Sequence, residues 1–189
     1  MKKVILFDFF GVLCSEIAPF WFGARFDDET AKAIKDELVG PADRGYIDEE
    51  EMFSKISKRC GVKADVIRKE WQEMAIVDGR MVEFVRELKK KYKIYLLSNA
   101  PGSFLHDILK KNGLYPLFDR MFISSEMKLA KPSPEYFEYC IKEIGAPTEE
   151  LVFTDDNPKN VEAARSVGIE AIRFVDCEDF KDKLLTLLN

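Results

Sequence analysis

One carboxylate, Asp8, interrupts an apolar stretch near the start of the sequence, where it could act as a nucleophile or hold a cation. Residues 4–7 before it are apolar and β-favouring without alternation, which is typical of a strand buried on both faces of a parallel sheet. Gly11 follows and indicates a turn. A buried carboxylate is costly unless donors or a cation face it, so the pattern predicts a ligand site at this strand end. For Asp8 alone, a simple turn-capping role fits equally well.

Polar side chains also follow three later apolar runs that the sequence predicts to be strands. The runs are residues 93–97, 120–123 and 151–153, and the side chains beyond them are Ser98 and Asn99, Lys131, and Asp155 and Asp156. Because the carboxyl ends of parallel strands meet at one edge of a sheet, we expect all of these groups to lie near Asp8.

This set of side chains is suited to phosphoryl transfer. Three carboxylates at one edge would raise each other's pKa, and a divalent cation relieves that repulsion. Oxygen ligands without histidine suit Mg²⁺. A hydroxyl, an amide and an ammonium group are donors for the oxygens of a phosphate ester. An aspartate can also form an aspartyl-phosphate, with metal and lysine offsetting the charge on the phosphoryl group.

Alternating strands and helices with short connections predict a parallel, doubly wound α/β sheet that would position these groups. The remaining patterns are helices at residues 81–92, 104–111, 134–144, 161–167 and 180–188, and a strand at residues 169–175. We therefore expect the polar strand ends to face one crevice.

A block of predicted helices interrupts this alternation after the first strand. Its parts are an aromatic-rich connector at residues 14–23, a helix from Asp27 or Asp28 to Val39 that stops at Gly40-Pro41, and helices at residues 48–60 and 64–74. The sequence accordingly predicts an α/β core of residues 1–13 and 79–189 and a helical insert of residues 14–78.

Composition narrows the class of protein. The 189 residues carry a net charge of −5, which argues against a broad nucleic-acid-binding surface. The four cysteines lack C-x-x-C spacing and are typical of free thiols in a reducing cytoplasm. No apolar stretch approaches the ~20 residues of a membrane helix. We expect a cytoplasmic monomer or small homo-oligomer whose partner is a small molecule, not a nucleic acid or a membrane.

Four motifs, in order along essentially the whole chain, resemble those of the haloacid dehalogenase (HAD) superfamily. They are Asp8-Phe9-Phe10-Gly11-Val12, Leu97-Ser98-Asn99, residues 131–137 beginning Lys-Pro-Ser-Pro, and residues 153–164 with Asp155-Asp156-Asn157-Pro158. The chain resembles the subfamily that includes sugar-1-phosphate phosphatases and epoxide hydrolase N-terminal domains. The resemblance implies a Rossmann-like core, a small helical cap inserted after the first strand, and a Mg²⁺-dependent hydrolase of small phosphomonoesters.

The resemblance also implies a role for each motif residue. Asp8 would be the nucleophile, and Lys131 would steady it. The Mg²⁺ ligands would be Asp8, the backbone carbonyl of Phe10, Asp156, and Asp155 either directly or through water. The phosphoryl oxygens would be held by Ser98, Asn99 and Lys131.

The first motif departs from the family pattern at Phe10. Members normally carry a second Asp there as the general acid for the leaving group, and phenylalanine cannot donate a proton. General acid catalysis typically contributes ~10²–10⁴-fold. A phosphatase with Phe10 should therefore favour good leaving groups such as sugar 1-phosphates, or take its acid from the cap or the substrate. The same loss argues against a phosphomutase.

Two other functions stay open. An aromatic residue at position 10 also occurs in metal-independent 2-haloacid dehalogenases, although their fourth motif lacks the adjacent pair Asp155-Asp156. A HAD-fold binding or regulatory protein with weak turnover is the third interpretation, which the three clustered carboxylates disfavour. Lys128, where relatives commonly have glycine, and the loop at Arg44 receive no assigned role.

Overall fold

Five parallel strands form the centre of the molecule in the computed structural model, which describes residues 2–188. The strands are Val4–Phe7 (β1), Lys93–Ser98 (β2), Arg120–Ile123 (β3), Leu151–Asp155 (β4) and Glu170–Arg173 (β5). Their order in the sheet is β3-β2-β1-β4-β5, with every neighbouring pair parallel. This order confirms the predicted doubly wound α/β fold, and its switch point lies between β1 and β4.

The helical insert follows β1. Its helices are Ala18–Gly23 (α1), Asp28–Ile34 (α2), Gly40–Asp43 (α3), Glu49–Cys60 (α4) and Ala64–Met74 (α5), with a π-helical stretch at Lys35–Val39. The rings of Phe22, Phe53 and Phe104 surround Trp71, with centroids 5.2 to 6.1 Å from its own. Because Phe104 belongs to the α/β part, the packing of this aromatic cluster stabilises the contact between the insert and the α/β part. The exact boundaries at residues 13/14 and 78/79 stay a prediction.

Two predictions about the insert were wrong. Residues 14–23 are not a simple connector, because α1 forms there with Pro19 in its first turn. Gly40-Pro41 does not stop the preceding helix, which continues through the π-helical stretch into α3. The π turn, in which Gly40 donates to the carbonyl of Lys35, is wider than an α turn and accommodates a proline that has no N–H to donate.

The remaining helices cover both faces of the sheet. They are Gly79–Lys89 (α6), Gly102–Lys111 (α7), Ser124–Met127 (α8), Pro134–Ile144 (α9), Pro158–Ser166 (α10) and Cys177–Leu188 (α11), with 3₁₀ turns at Tyr115–Leu117 and Thr148–Glu150. Apolar residues of α6, α7 and α11 share one core cluster with Ile5 and Phe7, and those of α9 and α10 share another with Val4 and Leu6. Alternate residues of β1 thus face opposite helix layers, as its unbroken apolar pattern predicts.

The sequence analysis missed α8, which is only one turn long. Lys128 ends this helix in the left-handed conformation with φ of 55°. Such a φ suits glycine better than lysine, so the backbone here explains the glycine that relatives commonly have and does not explain the lysine. Within residues 2–188, no helix combines the length and apolar character that a bilayer crossing requires.

Candidate active site

Asp8 lies at the sheet's switch point because it follows the central strand β1 directly. Phe7, the last residue of β1, pairs with Leu96 of β2 on one side and with Thr154 of β4 on the other. The Asp8 amide continues this ladder by donating to the carbonyl of Thr154 at 3.0 Å. The Asp8 carboxylate accepts a hydrogen bond from the amide of Phe9 at 2.7 Å and is largely buried. The backbone therefore holds the carboxylate at the carboxyl end of the sheet.

Lys131 bridges two carboxylates at this edge. Its Nζ lies 2.8 Å from Asp8 Oδ1 and 2.6 Å from Asp155 Oδ2, with only 1% of the side chain exposed. The backbone of Lys131 is itself clamped by Asn99, whose Nδ2 donates to the Lys131 carbonyl at 2.8 Å and whose Oδ1 accepts from the Lys131 amide at 3.0 Å. Asn99 thus links the end of β2 to the ammonium group that faces Asp8.

Asp155 is fully buried, and protein donors occupy both of its carboxylate oxygens. Besides Lys131, it accepts from the amide of Asn157 at 2.9 Å and from Asn160 Nδ2, which lies 3.0 Å from each oxygen. The sequence analysis gave Asn160 no role, although the residue falls within the fourth motif. Its position in the first turn of α10 turns its side chain back toward the end of β4, where it orients Asp155.

Asp8, Asp155 and Asp156 each offer a carboxylate oxygen, and these three oxygens lie within 4.8 Å of one another. Asp156 is the partly exposed member. Gly11, with φ of +82°, lets the first loop pass against it, since a Cβ there would lie 2.5 Å from Asp156 Cγ. The predicted carboxylate cluster therefore exists, and its tight packing requires glycine at position 11.

The electrostatics of this cluster favour a cation. Burial raises the pKa of Asp8 well above its ordinary value, Asp155 adds to the rise, and Lys131 only partly opposes it. Burial and then Asp155 also raise the pKa of Asp156. Burial lowers the pKa of Lys131, but Asp155 and Asp8 outweigh it and leave that pKa above its usual value. One ammonium does not neutralise three carboxylates, so an all-oxygen donor set with uncompensated negative charge fits Mg²⁺.

Ser98 stands behind this cluster at the last position of β2. Its side chain is fully buried, and its hydroxyl finds no hydrogen-bond partner among residues 2–188. A buried hydroxyl without a partner is costly, and an oxygen-rich anion at the strand ends would satisfy it.

A cavity of about 350 Å³ opens over the strand ends. The α/β part contributes Asp8, Asn99, Lys131 and Asp156 to its lining, whereas Ser98 and Asp155 are not among the lining residues. The helical insert contributes charged side chains, namely Glu16, Lys35, Asp36, Asp43 and Arg44. The structure thus brings the predicted site residues together at the end of the sheet. It also places charged side chains of the insert over them, where the sequence analysis had named the cap only as a possible source of an acid.

The family model for haloacid dehalogenase-like hydrolases matches residues 2–168 of this chain. The chain belongs to that family. A D-ribitol-5-phosphate phosphatase of Bacteroides thetaiotaomicron is 24% identical over 205 residues and is matched along the full length of both chains. A drimenol cyclase of Aspergillus calidoustus, drtB, is 28% identical over 163 residues, and the match spans 82% of this chain but only 31% of that protein.

Among solved structures, a HAD family enzyme of Bacteroides thetaiotaomicron in complex with magnesium and inorganic phosphate superposes with a TM-score of 0.81. It is 26% identical, and the match covers 97% of this chain and 99% of that one. The likeness therefore extends over both the α/β part and the helical insert.

Phe10 distinguishes this HAD hydrolase from the usual family pattern. Its ring lines the cavity and stacks on Phe104 with centroids 6.5 Å apart and an interplanar angle of 24°. Trp71 continues the same wall. The residue at position 10 is therefore part of an aromatic surface that lines the same cavity as Asp8.

The helical insert is joined to the α/β part immediately beside this cavity. The hydroxyl of the buried Ser124 donates to the carbonyl of Asp43. Gly45, with φ of +67°, packs so closely that a Cβ would lie 2.2 Å from the carbonyl oxygen of Ser125. Asp43 and Arg44 are consequently held over the cavity by backbone contacts of their own turn.

Gly45→Ala is expected to loosen this junction. Both Gly45 and Gly61 have positive φ, but a Cβ at Gly61 meets nothing within 4 Å, so Gly61→Ala is the matched control. Both substitutions lower the free energy of unfolding, because alanine is strained in the left-handed conformation. Only Gly45→Ala lowers it by a further amount of about 1–3 kcal/mol through overpacking. At about 2–4 °C per kcal/mol, its melting temperature should lie about 2–12 °C below that of Gly61→Ala. Equal melting temperatures in a thermal denaturation experiment would contradict the proposed tight junction.

Proposed function

We propose that this HAD hydrolase is a Mg²⁺-dependent phosphatase that hydrolyses a small phosphomonoester through an aspartyl-phosphate on Asp8. The observation that carries the proposal is the ion pair between Lys131 and Asp8 within a cluster of three carboxylates at the end of the sheet. Relatives that include a D-ribitol-5-phosphate phosphatase, and a structural neighbour that binds magnesium and phosphate, support the same chemistry.

Asp8 is the proposed nucleophile because its carboxylate ends the central strand and faces the cavity. Asp8, Asp156 and the backbone carbonyl of Phe10 are the proposed direct ligands of Mg²⁺. Protein donors engage both oxygens of Asp155, so we place it as the residue that orients Lys131 and reaches the cation through water. When bound, Mg²⁺ supplies positive charge that offsets the negative charge of the phosphoryl group.

Three side chains are proposed to hold the phosphoryl oxygens. Lys131 supplies its ammonium group, and Ser98 supplies the buried hydroxyl that has no partner among the described residues. Asn99 Nδ2 uses one N–H on the Lys131 carbonyl, which leaves its second N–H for the substrate. In this arrangement Asn99 both binds substrate and positions Lys131.

The cavity suits a small phosphate ester. Its volume of about 350 Å³ and its mixture of charged and aromatic lining fit a polar substrate of sugar-phosphate size. We also propose that the protein is cytoplasmic, because its four free cysteines would stay reduced there. We propose that it is a monomer or small homo-oligomer and that it has no nucleic-acid or membrane partner.

Hydrolysis of p-nitrophenyl phosphate tests the proposal, because this leaving group needs little protonation and Phe10 should not hide the activity. We expect turnover that is lost on treatment with EDTA and restored by Mg²⁺, since the carboxylate cluster needs a cation to accept a phosphoryl dianion. Turnover that is unaffected by EDTA would contradict the metal role. Chloride release from 2-chloropropionate without phosphatase activity would establish the dehalogenase interpretation, and absence of both activities would favour a binding protein.

A further inference from the structure

We propose that Asp43 of the helical insert is the general acid and base of the reaction, in place of the acid that Phe10 cannot supply. This inference rests on the proposed phosphatase function and names the group that protonates the leaving oxygen. In this proposal the helical insert contributes a catalytic residue and also encloses the substrate.

The geometry that carries the inference is the place of Asp43 in the cavity. Asp43 ends α3 and lines the same cavity as Asp8 and Lys131, on the side formed by the insert. Its backbone is fixed by the hydrogen bond from Ser124 and by the close packing of Gly45. Its carboxylate forms no hydrogen bond or ion pair with any residue between 2 and 188, so it remains available to a substrate that enters the cavity.

The charge environment of Asp43 agrees with this role. Burial raises the pKa of Asp43 to about 7. Lys35 from the π-helical stretch, Arg44 from the same turn and Lys131 from the α/β part oppose the rise, while Glu16 from the segment before α1 adds to it. A carboxyl group with a pKa near neutrality can both donate and accept a proton in one catalytic cycle.

The other acidic residues of the insert that line the cavity are less suited. Asp36 pairs with Lys32, its side chain is 62% exposed, and the hydrogen bond from Lys32 lowers its pKa, so it is ionised at neutral pH. The strongest charged neighbour of Glu16 is Asp156, a proposed Mg²⁺ ligand, which ties the protonation of Glu16 to metal binding. Asp43 is therefore the carboxyl group of the insert that lines the cavity, has no ion-pair partner among residues 2–188, and has no proposed metal ligand among the charged groups that shift its pKa most.

The proposed cycle balances protons and electrons. A carboxylate oxygen of Asp8 attacks phosphorus, the phosphorus–oxygen bond of the ester breaks, and its electron pair stays on the leaving oxygen, which takes the proton of Asp43. A water molecule then attacks the phosphorus of the aspartyl-phosphate and gives a proton to the Asp43 carboxylate, while the bond between phosphorus and the Asp8 oxygen breaks and leaves its electron pair on Asp8. Phosphate leaves, and Asp8 returns as a carboxylate and Asp43 as an acid.

Two aryl phosphates of nearly the same size test this assignment. Phenolate is a much poorer leaving group than p-nitrophenolate, so phenyl phosphate depends more on the acid. The value of kcat/KM reports the steps up to release of the leaving group. We expect Asp43→Asn to lower kcat/KM for phenyl phosphate by about 10²-fold and that for p-nitrophenyl phosphate by less than about 5-fold. Retained kcat/KM on the second substrate also shows that the variant is folded.

Two further measurements complete the test. The wild-type kcat/KM for phenyl phosphate should fall above pH about 7, as Asp43 loses its proton, and Asp43→Asn should lack this decline. Asp36→Asn, which alters another carboxylate that lines the cavity, should preserve both the ratio of the two substrates and the pH profile.

The outcomes separate this inference from the function on which it rests. If the wild type hydrolyses both esters but Asp43→Asn lowers both equally, or neither, the role of Asp43 is wrong and the phosphatase function stands. If the wild type hydrolyses neither ester, the proposed function fails, and the role of Asp43 fails with it.

Discussion

Replacing Asp8 with asparagine is expected to lower kcat for p-nitrophenyl phosphate by about 10⁴-fold or more. The amide is a poor nucleophile, and removal of a residue that forms the covalent intermediate typically has effects of this order. The change keeps the volume of the side chain, and Lys131 keeps its bond to Asp155 at 2.6 Å, so the fold should persist.

The control for Asp8→Asn is its melting temperature in EDTA, which should stay within a few degrees of the wild type. Asp182→Asn should retain nearly full activity on the same substrate, because Asp182 is an exposed residue of α11 that does not line the cavity. Activity of Asp8→Asn within about 10-fold of the wild type would show that another group attacks phosphorus.

Lys131→Met is expected to damage both activity and stability. The ammonium group is the one side-chain cation paired with Asp8 in the described structure, and removal of one partner of a buried pair typically costs about 3–5 kcal/mol. At about 2–4 °C per kcal/mol, the melting temperature in EDTA should fall by about 6–20 °C. Turnover should fall by at least about 10²-fold, because the positive charge of Lys131 no longer offsets the negative charge of the phosphoryl group. Lys131→Arg keeps the charge and should recover most of the stability without full activity.

The stability deficit of Lys131→Met should depend on pH. The pKa of Asp8 is already raised in the folded state by burial and by Asp155, and loss of Lys131 raises it further. A carboxyl group with a raised pKa in the folded protein stabilises it at low pH, and that stability is lost as pH rises through this pKa. The difference in melting temperature between variant and wild type should therefore widen in EDTA as pH rises above the ordinary pKa of a carboxyl group. A difference that narrows over this range would contradict the assigned pairing.

Local patterns in the sequence determined the α/β part of the molecule. The unbroken apolar run before Asp8 predicted a doubly covered strand, and the strands Arg120–Ile123 and Val4–Phe7 and the helix Pro134–Ile144 were predicted with their observed bounds. The order of the strands was not predicted, because short helical crossovers reduce the possible arrangements without leaving a single one. Because parallel strands end at one edge of a sheet, we expected the three carboxylates at the ends of β1 and β4 to lie close together, and the structure places one oxygen of each within 4.8 Å of the others.

The structure alone decided features that apolar periodicity does not mark, such as the first residue of a helix. Asn160 orients Asp155 only because α10 begins at Pro158, three residues earlier than the apolar pattern at Val161 suggests. Helix ends are marked by caps and backbone hydrogen bonds more than by apolar periodicity, which explains this error.

The position of the helical insert is even less accessible to prediction from apolar periodicity. Its helices have the predicted amphipathic pattern, but the pattern does not specify which turn lies over the cavity. That is decided by the packing of Gly45 on Ser125 and by the hydrogen bond from Ser124 to Asp43, which join segments about 80 residues apart. The sequence by itself determined the fold and the chemistry at the sheet edge, because both follow from local pattern and connectivity. Only the tertiary structure decided which carboxyl groups of the helical insert line that site, because long-range contacts set their positions and burial sets the pKa of Asp43.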